Sequence, residues 1–320
     1  MNSMSPLYLR DADINKLIDM PLAIEVMHAA FVALANGEAE NVPRVRAKAP
    51  GIMLHSLSAA AEYLNLVGWK QYTTTRDGAK FLVGLHAGAK GDLVALMQAD
   101  RLGQLRTGAV TGLAARLLAN PKAESMGLIG TGLQAHTQLA AVAATCPIRK
   151  VFVYSRSAER RAQFAREMSE TLRLEVIPVD NPRAATEYQP IIVTATTSKA
   201  PVFEGKWLSP GTLVCAVGSN WLHKAEIDVA TLEAAQLVVC DSIAACQHEA
   251  GDFVQALAQG VFRWEDAVEF SAIVAGTNGR RSLDHVVVFK SVGLGIEDVA
   301  LGAKALELAR QRGMGVSLPM

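Results

Sequence analysis

Net charge is absent from this chain: 31 Lys and Arg stand against 31 Asp and Glu in 320 residues. No global basic field therefore exists to gather nucleic acid, and any positive site must be local. Cysteine is scarce. Cys146, Cys215, Cys240 and Cys246 lie in the second half without a C-x-x-C pair, three of them in apolar surroundings typical of buried thiols, so a disulfide framework is not expected. No run of about 18 uncharged apolar residues occurs, which argues against a membrane span. The opening MNSMSPLYLR lacks an apolar stretch behind a basic start, so no signal peptide is expected and the cytoplasm is the expected location. Internal repeats and low-complexity tracts are missing too. What is there is apolar: 50% hydrophobic and only 19% charged residues exclude disorder as the main state. The length suits one large or two interlocked domains.

Asp11 is placed to cap a short first helix, and Pro21 opens a second, LAIEVMHAAFVALANG, that stops at Gly37. From Pro43 to Ala99 the texture becomes RVRAK, IMLHSLSA, LVGWKQYTT, KFLVGLHA and DLVALMQA, punctuated at Gly51, Gly78 and Gly91 with Asp92. This predicts a meander of five strands. The small-residue helix TGAVTGLAARLLA follows. After Pro121, strands SMGLIG, KVFVYS, LEVIPV, PIIVTAT, GTLVCAVG, AQLVVC and VVVFK are interleaved with helical segments such as LQAHTQLAAVAAT and AERRAQFAREMSETL. Alternating helices and nearly pure apolar strands mean a parallel sheet covered on both faces. The helix EDVALGAKALELARQR then returns to the first domain. The expected fold is α/β: an α+β domain over residues 1–120, completed by 291–320, and a doubly wound domain over 121–290.

Within MGLIGTGLQAHTQLAA, Gly130-x-Gly132-x-x-Ala135 stands directly after a predicted strand and opens a predicted helix. Gly130 permits the tight turn, Gly132 lets the backbone approach a pyrophosphate, and Ala135 leaves room for the helix to pack on the strand. The helix N-terminus adds oriented N–H groups for the phosphates. This is the Rossmann dinucleotide fingerprint. NAD-binding versions carry an acid at the end of the second strand to hold the ribose hydroxyls. Here Tyr154-Ser155-Arg156-Ser157 stands instead. Arg156 can pair with a ribose phosphate, with Ser155, Ser157 and Arg160 as further donors, which favours NADP(H) over NAD(H). A solvated basic helix start is the plainer reading.

Three cations sit at unusual places: Arg44 just after Pro43, Lys70 within the apolar LVGWKQY, and Arg106 in QLRTGA, read as a helix start. A helix N-terminus repels a cation unless an anion binds there. The three together suggest a carboxylate-bearing substrate. Surface salt bridges are the alternative for each alone.

On these residues the chain resembles the ornithine cyclodeaminase and mu-crystallin family. The matching pieces are VPRV (42–45), GWK (68–70), LRTGA (105–109), GTGLQA (130–135), TATT (194–197), VGSN with KAEID (217–228) and KSVGLGIEDVA (290–300). The resemblance runs nearly the whole length in the right order. It implies a homodimer sharing its N-terminal strand layer, with a Rossmann domain facing that layer across a cleft. It implies that Arg44, Lys70 and Arg106 bind an amino-acid carboxylate. The dinucleotide would be lined by Thr107, Gly130, Thr131, Gly132, Leu133, Gln134, Thr194, Ala195, Thr196, Val217, Gly218, Ser219, Val292 and Gly293. Asp298 matches the family pattern and is expected to cap or orient the loop on the nicotinamide side. One departure matters: similar cyclodeaminases carry an aspartate where this chain has Asn220. Asn cannot exchange a proton at neutral pH, although it can orient an imine or a water.

Three readings of function follow. The first is an NADPH-dependent reductase of a cyclic ketimine acid, Δ1-pyrroline-2-carboxylate to L-proline, with the six-membered piperideine-2-carboxylate as an analogue giving L-pipecolate. It would have Asn220 facing the imine and Lys70 as an anchor and proton relay. An ornithine cyclodeaminase is the second, with an alanine-type amino-acid dehydrogenase between the two. The third is a non-catalytic NADP(H)-gated binding protein. His55, His86 and His136 lack metal-ligand spacing, so core or cofactor-lining roles are expected and no metal. His223 lies near the predicted site but reads as a solvated loop residue.

Overall fold

The computed structural model describes residues 5–88 and 90–319. The chain divides into two compact units, Met1–Thr107 with Leu294–Met320, and Gly108–Gly293. The division falls inside a helix, earlier than the switch near residue 121 expected from the change in texture, because that helix is continuous across it.

The first unit opens with β1 (Leu7–Leu9), α1 (Asp11–Leu17) and α2 (Met20–Asn36). The Asp11 cap is not formed. Arg10 is the capping position, its N–H donates to the Asp13 carboxylate at 2.9 Å, and Asp11 instead accepts the N–H of Arg101 at 2.8 Å. Helix α2 is stopped by Gly37 in the left-handed conformation at φ 75°. The five expected strands follow as β2 (Ala39–Ala49), β3 (Ile52–Ala61), β4 (Leu66–Thr75), β5 (Gly78–Ala87) and β6 (Leu93–Gln98). Helix α3 (Asp100–Leu118) crosses into the second unit.

The seven-stranded sheet has the order β15-β1-β6-β5-β4-β3-β2, where β15 (Val316–Ser317) pairs antiparallel with β1. Register decides which residues share a face. Val45, Ser56, Gln71 and Leu82 stand opposite one another in one row, so strand parity puts Leu54 and Val67 on that face and His55, Leu57, Lys70, Tyr72 and Val83 on the other. Helix α11 (Gly295–Gln311) lies on the second face, with Val299 against Gly68 and Gly302 against Val83 and Met97.

In the second unit come β7 (Ser125–Ile129), α4 (Leu133–Thr145), β8 (Lys150–Tyr154), α5 (Ala158–Leu172), β9 (Glu175–Pro178), α6 (Pro182–Thr186) and β10 (Ile191–Thr194). They continue through β11 (Leu213–Ala216), α7 (Val229–Glu233), β12 (Ala235–Cys240), α8 (Ile243–Glu249), α9 (Val254–Ala258), β13 (Ala267–Glu269), α10 (Phe270–Val274) and β14 (Val286–Lys290). All eight strands run parallel in the order β13-β12-β14-β11-β10-β7-β8-β9. Strands β7, β8 and β9 build in one direction, and β10 restarts on the other side of β7. Ligands of doubly wound folds bind at the carboxyl ends of the strands at such a switch.

Far from that crevice, Arg280 ties the base of the unit together. Its guanidinium donates to the carbonyls of Leu118, Gly211, Ser282 and His285 at 2.7 to 2.8 Å, and to that of Leu283. The Leu118 carbonyl ends α3, where helix carbonyls have no partner of their own. Arg280→Met should therefore cost about 2 to 4 kcal/mol in denaturant unfolding, with Arg280→Lys recovering only part of it because one ammonium cannot span the set. A loss within experimental error for Arg280→Met would show that water replaces the guanidinium freely.

Candidate active site

Lys70 on β4 and Arg106 on α3 are both buried in the first unit, and so is Arg44, at the bulge of β2 between Val42 and Val45. None of the three is the surface ion pair that each alone could have been. Arg106 does not open a helix as expected. Helix α3 starts at Asp100, which leaves Arg106 within its body, and the charge is met by side chains rather than set against a dipole. The Lys70 ammonium donates to Asp298 at 2.9 Å, Arg106 Nη1 donates to Glu297 at 2.6 Å, and Arg106 Nε lies 3.3 Å from Asp298. Asp298 is thus a buried counterion on α11, not the cap of a loop.

Burying ions is costly unless they are paired. Burial and the Arg106 charge push the Lys70 ammonium down to about 8, against the pull of Asp298. Lys70 lies 5.4 Å from the Phe81 ring centre and Arg44 lies 6.0 Å from that of Tyr72, so aromatic faces complete the wall.

His55 stacks on Tyr72 with ring centres 4.1 Å apart. Arg46 Nε donates to its Nδ1 at 3.2 Å, which puts the proton on Nε2, 3.1 Å from Thr74 Oγ1. Burial, then the Arg46 and Arg44 charges, lowers its pKa to about 4. This is a neutral shelf rather than an acid.

The second unit carries the dinucleotide crevice. A groove of about 590 Å³ is lined by Gly130, Thr131, Gly132, Ser155, Arg156, Ser157, Arg160, Ala195 and Thr196, together with Tyr154, Pro182, Thr197, Ser198, Pro201 and Val202. The cradle fits a dinucleotide. Gly130 has φ 116° and a Cβ there would overlap the Ala195 carbonyl oxygen, whereas the space at Gly132, the capping residue of α4, is open. Arg156 and Arg160 are exposed beside it. Ser157 Oγ caps α5 by accepting the Arg160 N–H at 3.2 Å, and Ser155 Oγ donates to the Ser157 carbonyl, so those two hydroxyls already serve the turn.

The other residues expected to line the dinucleotide have these surroundings. Leu133 is 67% exposed at the start of α4, followed by half-buried Gln134. Thr107, in the first unit, donates to the Gly103 carbonyl at 2.7 Å. Thr194 is buried and its hydroxyl donates to Glu226 at 3.0 Å. Val217 donates to the Thr194 carbonyl, Gly218 packs on Thr196, and Ser219 and Asn220 continue that loop. The N–H groups of Val292 and Gly293 are taken by Asp241 at 2.7 and 2.8 Å. His223 lies in the same loop, its ring 5.4 Å from Trp221.

A family model, ornithine cyclodeaminase/mu-crystallin, matches residues 4–311. The chain belongs to that family. Over 314 residues it is 32% identical to a Δ1-pyrroline-2-carboxylate reductase of Bacillus cereus, covering 94% of this chain and 95% of the relative. Among solved structures it is similar to Thermococcus litoralis Δ1-pyrroline-2-carboxylate reductase in complex with NADH and L-proline, at 31% identity and TM-score 0.92 over 98% of this chain and all (100%) of that one. An archaeal alanine dehydrogenase dimer with bound NAD matches at 28% identity and the same TM-score, 0.92, over 99% and 100% of the two chains.

Sequence reasoning missed Glu297, Glu226, Asp252, Lys290 and Asp241. One signal pointed to Lys290, a charge ending the pure apolar strand VVVFK.

The His55 geometry sets a pH dependence. A pKa lowered to about 4 in the fold, against 6.5 when exposed, gives stability present above pH 6.5 that is lost as pH falls from there towards 4. The slope contributed is at most about 1.4 kcal/mol per pH unit. His55→Phe should remove that slope from unfolding curves taken between these limits, and an unchanged slope would assign it to other groups.

Proposed function

We propose that this family member is an oxidoreductase acting on C=N and CH–NH bonds, and specifically an NADPH-dependent reductase of a cyclic ketimine carboxylate. Δ1-Pyrroline-2-carboxylate to L-proline is the favoured reaction, with Δ1-piperideine-2-carboxylate to L-pipecolate as the analogue. The observation that carries the reading is the burial of three cations, Arg44, Lys70 and Arg106, in one unit, with Lys70 and Arg106 fixed by Asp298 and Glu297, because buried and positioned cations are the groups that hold a substrate carboxylate. The names of the Bacillus and Thermococcus relatives give the same substrate.

The chain's own residues have three tasks. Arg44, Lys70 and Arg106 hold the carboxylate and fix the ring's position. The Tyr72 and Phe81 faces shut water out beside them. Asn220 accepts a hydrogen bond from the protonated imine nitrogen, which needs orienting and not deprotonating. Reduced nicotinamide, when bound, would supply a hydride to the carbon of the already protonated C=N bond, giving CH–NH. Gly130, Thr131 and Gly132 would hold its pyrophosphate, and Arg156 with Arg160 the additional ribose phosphate. The preference for NADPH rests on the missing acid at the end of β8, whereas the Thermococcus and archaeal alanine dehydrogenase structures hold NADH and NAD.

A cytoplasmic homodimer is part of the same reading. Val45 at 62%, Val67 at 46% and Leu82 at 38% exposure share one face of the first unit's sheet with Ser56 and Gln71, a mixed face on which a second copy would cover the exposed apolar side chains. Among the described residues no single helix is long and apolar enough to cross a membrane.

The deciding experiment follows NADPH and NADH oxidation with pyrroline-2-carboxylate, piperideine-2-carboxylate, and pyruvate plus ammonia, beside ammonia release from ornithine. Imine reduction with NADPH preferred is expected. Deamination of ornithine at a comparable rate would overturn the reading. Arg156→Asp should weaken NADPH far more than NADH, and equal losses would remove the assigned phosphate contact. Because Lys70 must be protonated to hold an anion, KM should rise as pH passes about 8, and Lys70→Met should raise KM and abolish that rise.

A further inference from the structure

Three charged side chains that no step above uses lie together in the second unit. Glu226, Asp252 and Lys290 are all buried, at the carboxyl ends of the strands where the crevice opens. Lys290 ends β14. Its ammonium donates to Asp252 at 2.7 Å and to the carbonyl of Ser219 at 2.8 Å. Glu226 lies in the segment between β11 and α7. One carboxylate oxygen accepts the Thr196 N–H at 2.7 Å, and the other accepts the Gly218 N–H at 2.6 Å and the Thr194 hydroxyl at 3.0 Å. Asp252 Oδ1 in turn accepts the Glu226 N–H at 2.6 Å.

This arrangement joins the segments that leave β10 and β11. Thr196, on the wall of the dinucleotide groove, and Gly218, two residues before Asn220, hang on the same carboxylate. Ser219, the neighbour of Asn220, is held by the Lys290 ammonium. A Cβ on Gly218 would overlap the backbone of Thr196, so the two segments touch directly. Apolar side chains of similar volume would fill this space without the cost of burying ions. What they would not do is fix two backbone segments through directed hydrogen bonds.

We propose that Glu226 and Lys290 are positioning residues, which hold residues 194–196 and 217–220 in one arrangement and thereby set the place of Asn220. The consequence for turnover rests on the reading of Asn220 given above. The holding itself does not.

Glu226→Gln is the diagnostic change. It keeps the size, but one of its two terminal atoms becomes a donor facing a backbone N–H that cannot reverse. Lys290→Met, which strips Asp252 of its cation, is the harsher companion. Two measurements on the full chain separate the parts. Amide hydrogen exchange should accelerate by about tenfold or more in the segments around Thr196 and Gly218 of Glu226→Gln, while β7 and β8 exchange as in the wild type. Unchanged exchange in both segments overturns the proposal, whatever the chain catalyses.

At saturating NADPH, Glu226→Gln should lower kcat on the order of tenfold in the wild type but by less than about twofold in an Asn220→Ala background. Equal losses in the two backgrounds would show that Glu226 does not act through Asn220. A wild type that reduces no imino acid would sink the functional reading alone, leaving the exchange measurement to decide this one.

Discussion

Buried cations without counterions would not survive in this fold, and that constraint explains the path of the chain. Lys70 and Arg106 lie inside the first unit, yet their carboxylates belong to α11, 228 and 191 residues further along. The chain must therefore leave the first unit, complete an eight-stranded parallel sheet, and come back. Glu297 and Asp298 stand in the first turn of α11, where acids also suit the helix dipole. Gly295 and Gly302 let that helix lie close on the strands, so that two short acidic side chains reach the cations. Packing and electrostatics are here one requirement.

The two buried clusters are closed in different ways. In the first unit Lys70 and Arg106 meet carboxylates carried by α11. In the second, Lys290 meets Asp252, while Glu226 accepts the backbone N–H groups of Thr196 and Gly218, so that cluster ends on the protein's own main chain. Burial lowers the Lys70 pKa most, and the neighbouring Arg106 charge adds to it against the pull of Asp298.

Much of this was legible in the sequence because the relevant signals are local. Short apolar runs punctuated by Gly and Asp from Pro43 to Ala99 marked five strands, apolar runs after 121 marked the parallel sheet, and Gly130-x-Gly132 between strand and helix marked the crevice. The three cations were found because charges in apolar or small-residue contexts stand out. Their counterions were not, since an acid at a helix start looks the same whether it faces water or a lysine of another segment. Arg106 shows the same limit from the other side: the helix existed, but its start at Asp100 depends on how β6 ends, which the small-residue pattern does not encode. Strands β1 and β15 are too short to show alternation, and they exist by pairing, β1 with β6 and β15 with β1. Glu226 was quoted as part of a motif without a role, because its partners are backbone groups invisible to composition.

The fold alone leaves the chemistry open, since relatives of similar length and shape carry the names of a reductase and a dehydrogenase. What separates such reactions is which protons the chain must move. Deamination of an amino acid begins with a protonated amine, so a base has to take a proton before any C–N bond can form or break. Reduction of a cyclic ketimine begins one step later, with the C=N bond in place and its nitrogen protonated, and asks only for orientation and a fixed carboxylate. On the reading proposed above, Asn220 would meet the second demand and not the first. His55 is neutral with both ring nitrogens engaged, and Lys70 is tied to Asp298. On that same reading the first unit would supply anchoring charge and aromatic walls, which suits a substrate that arrives already activated.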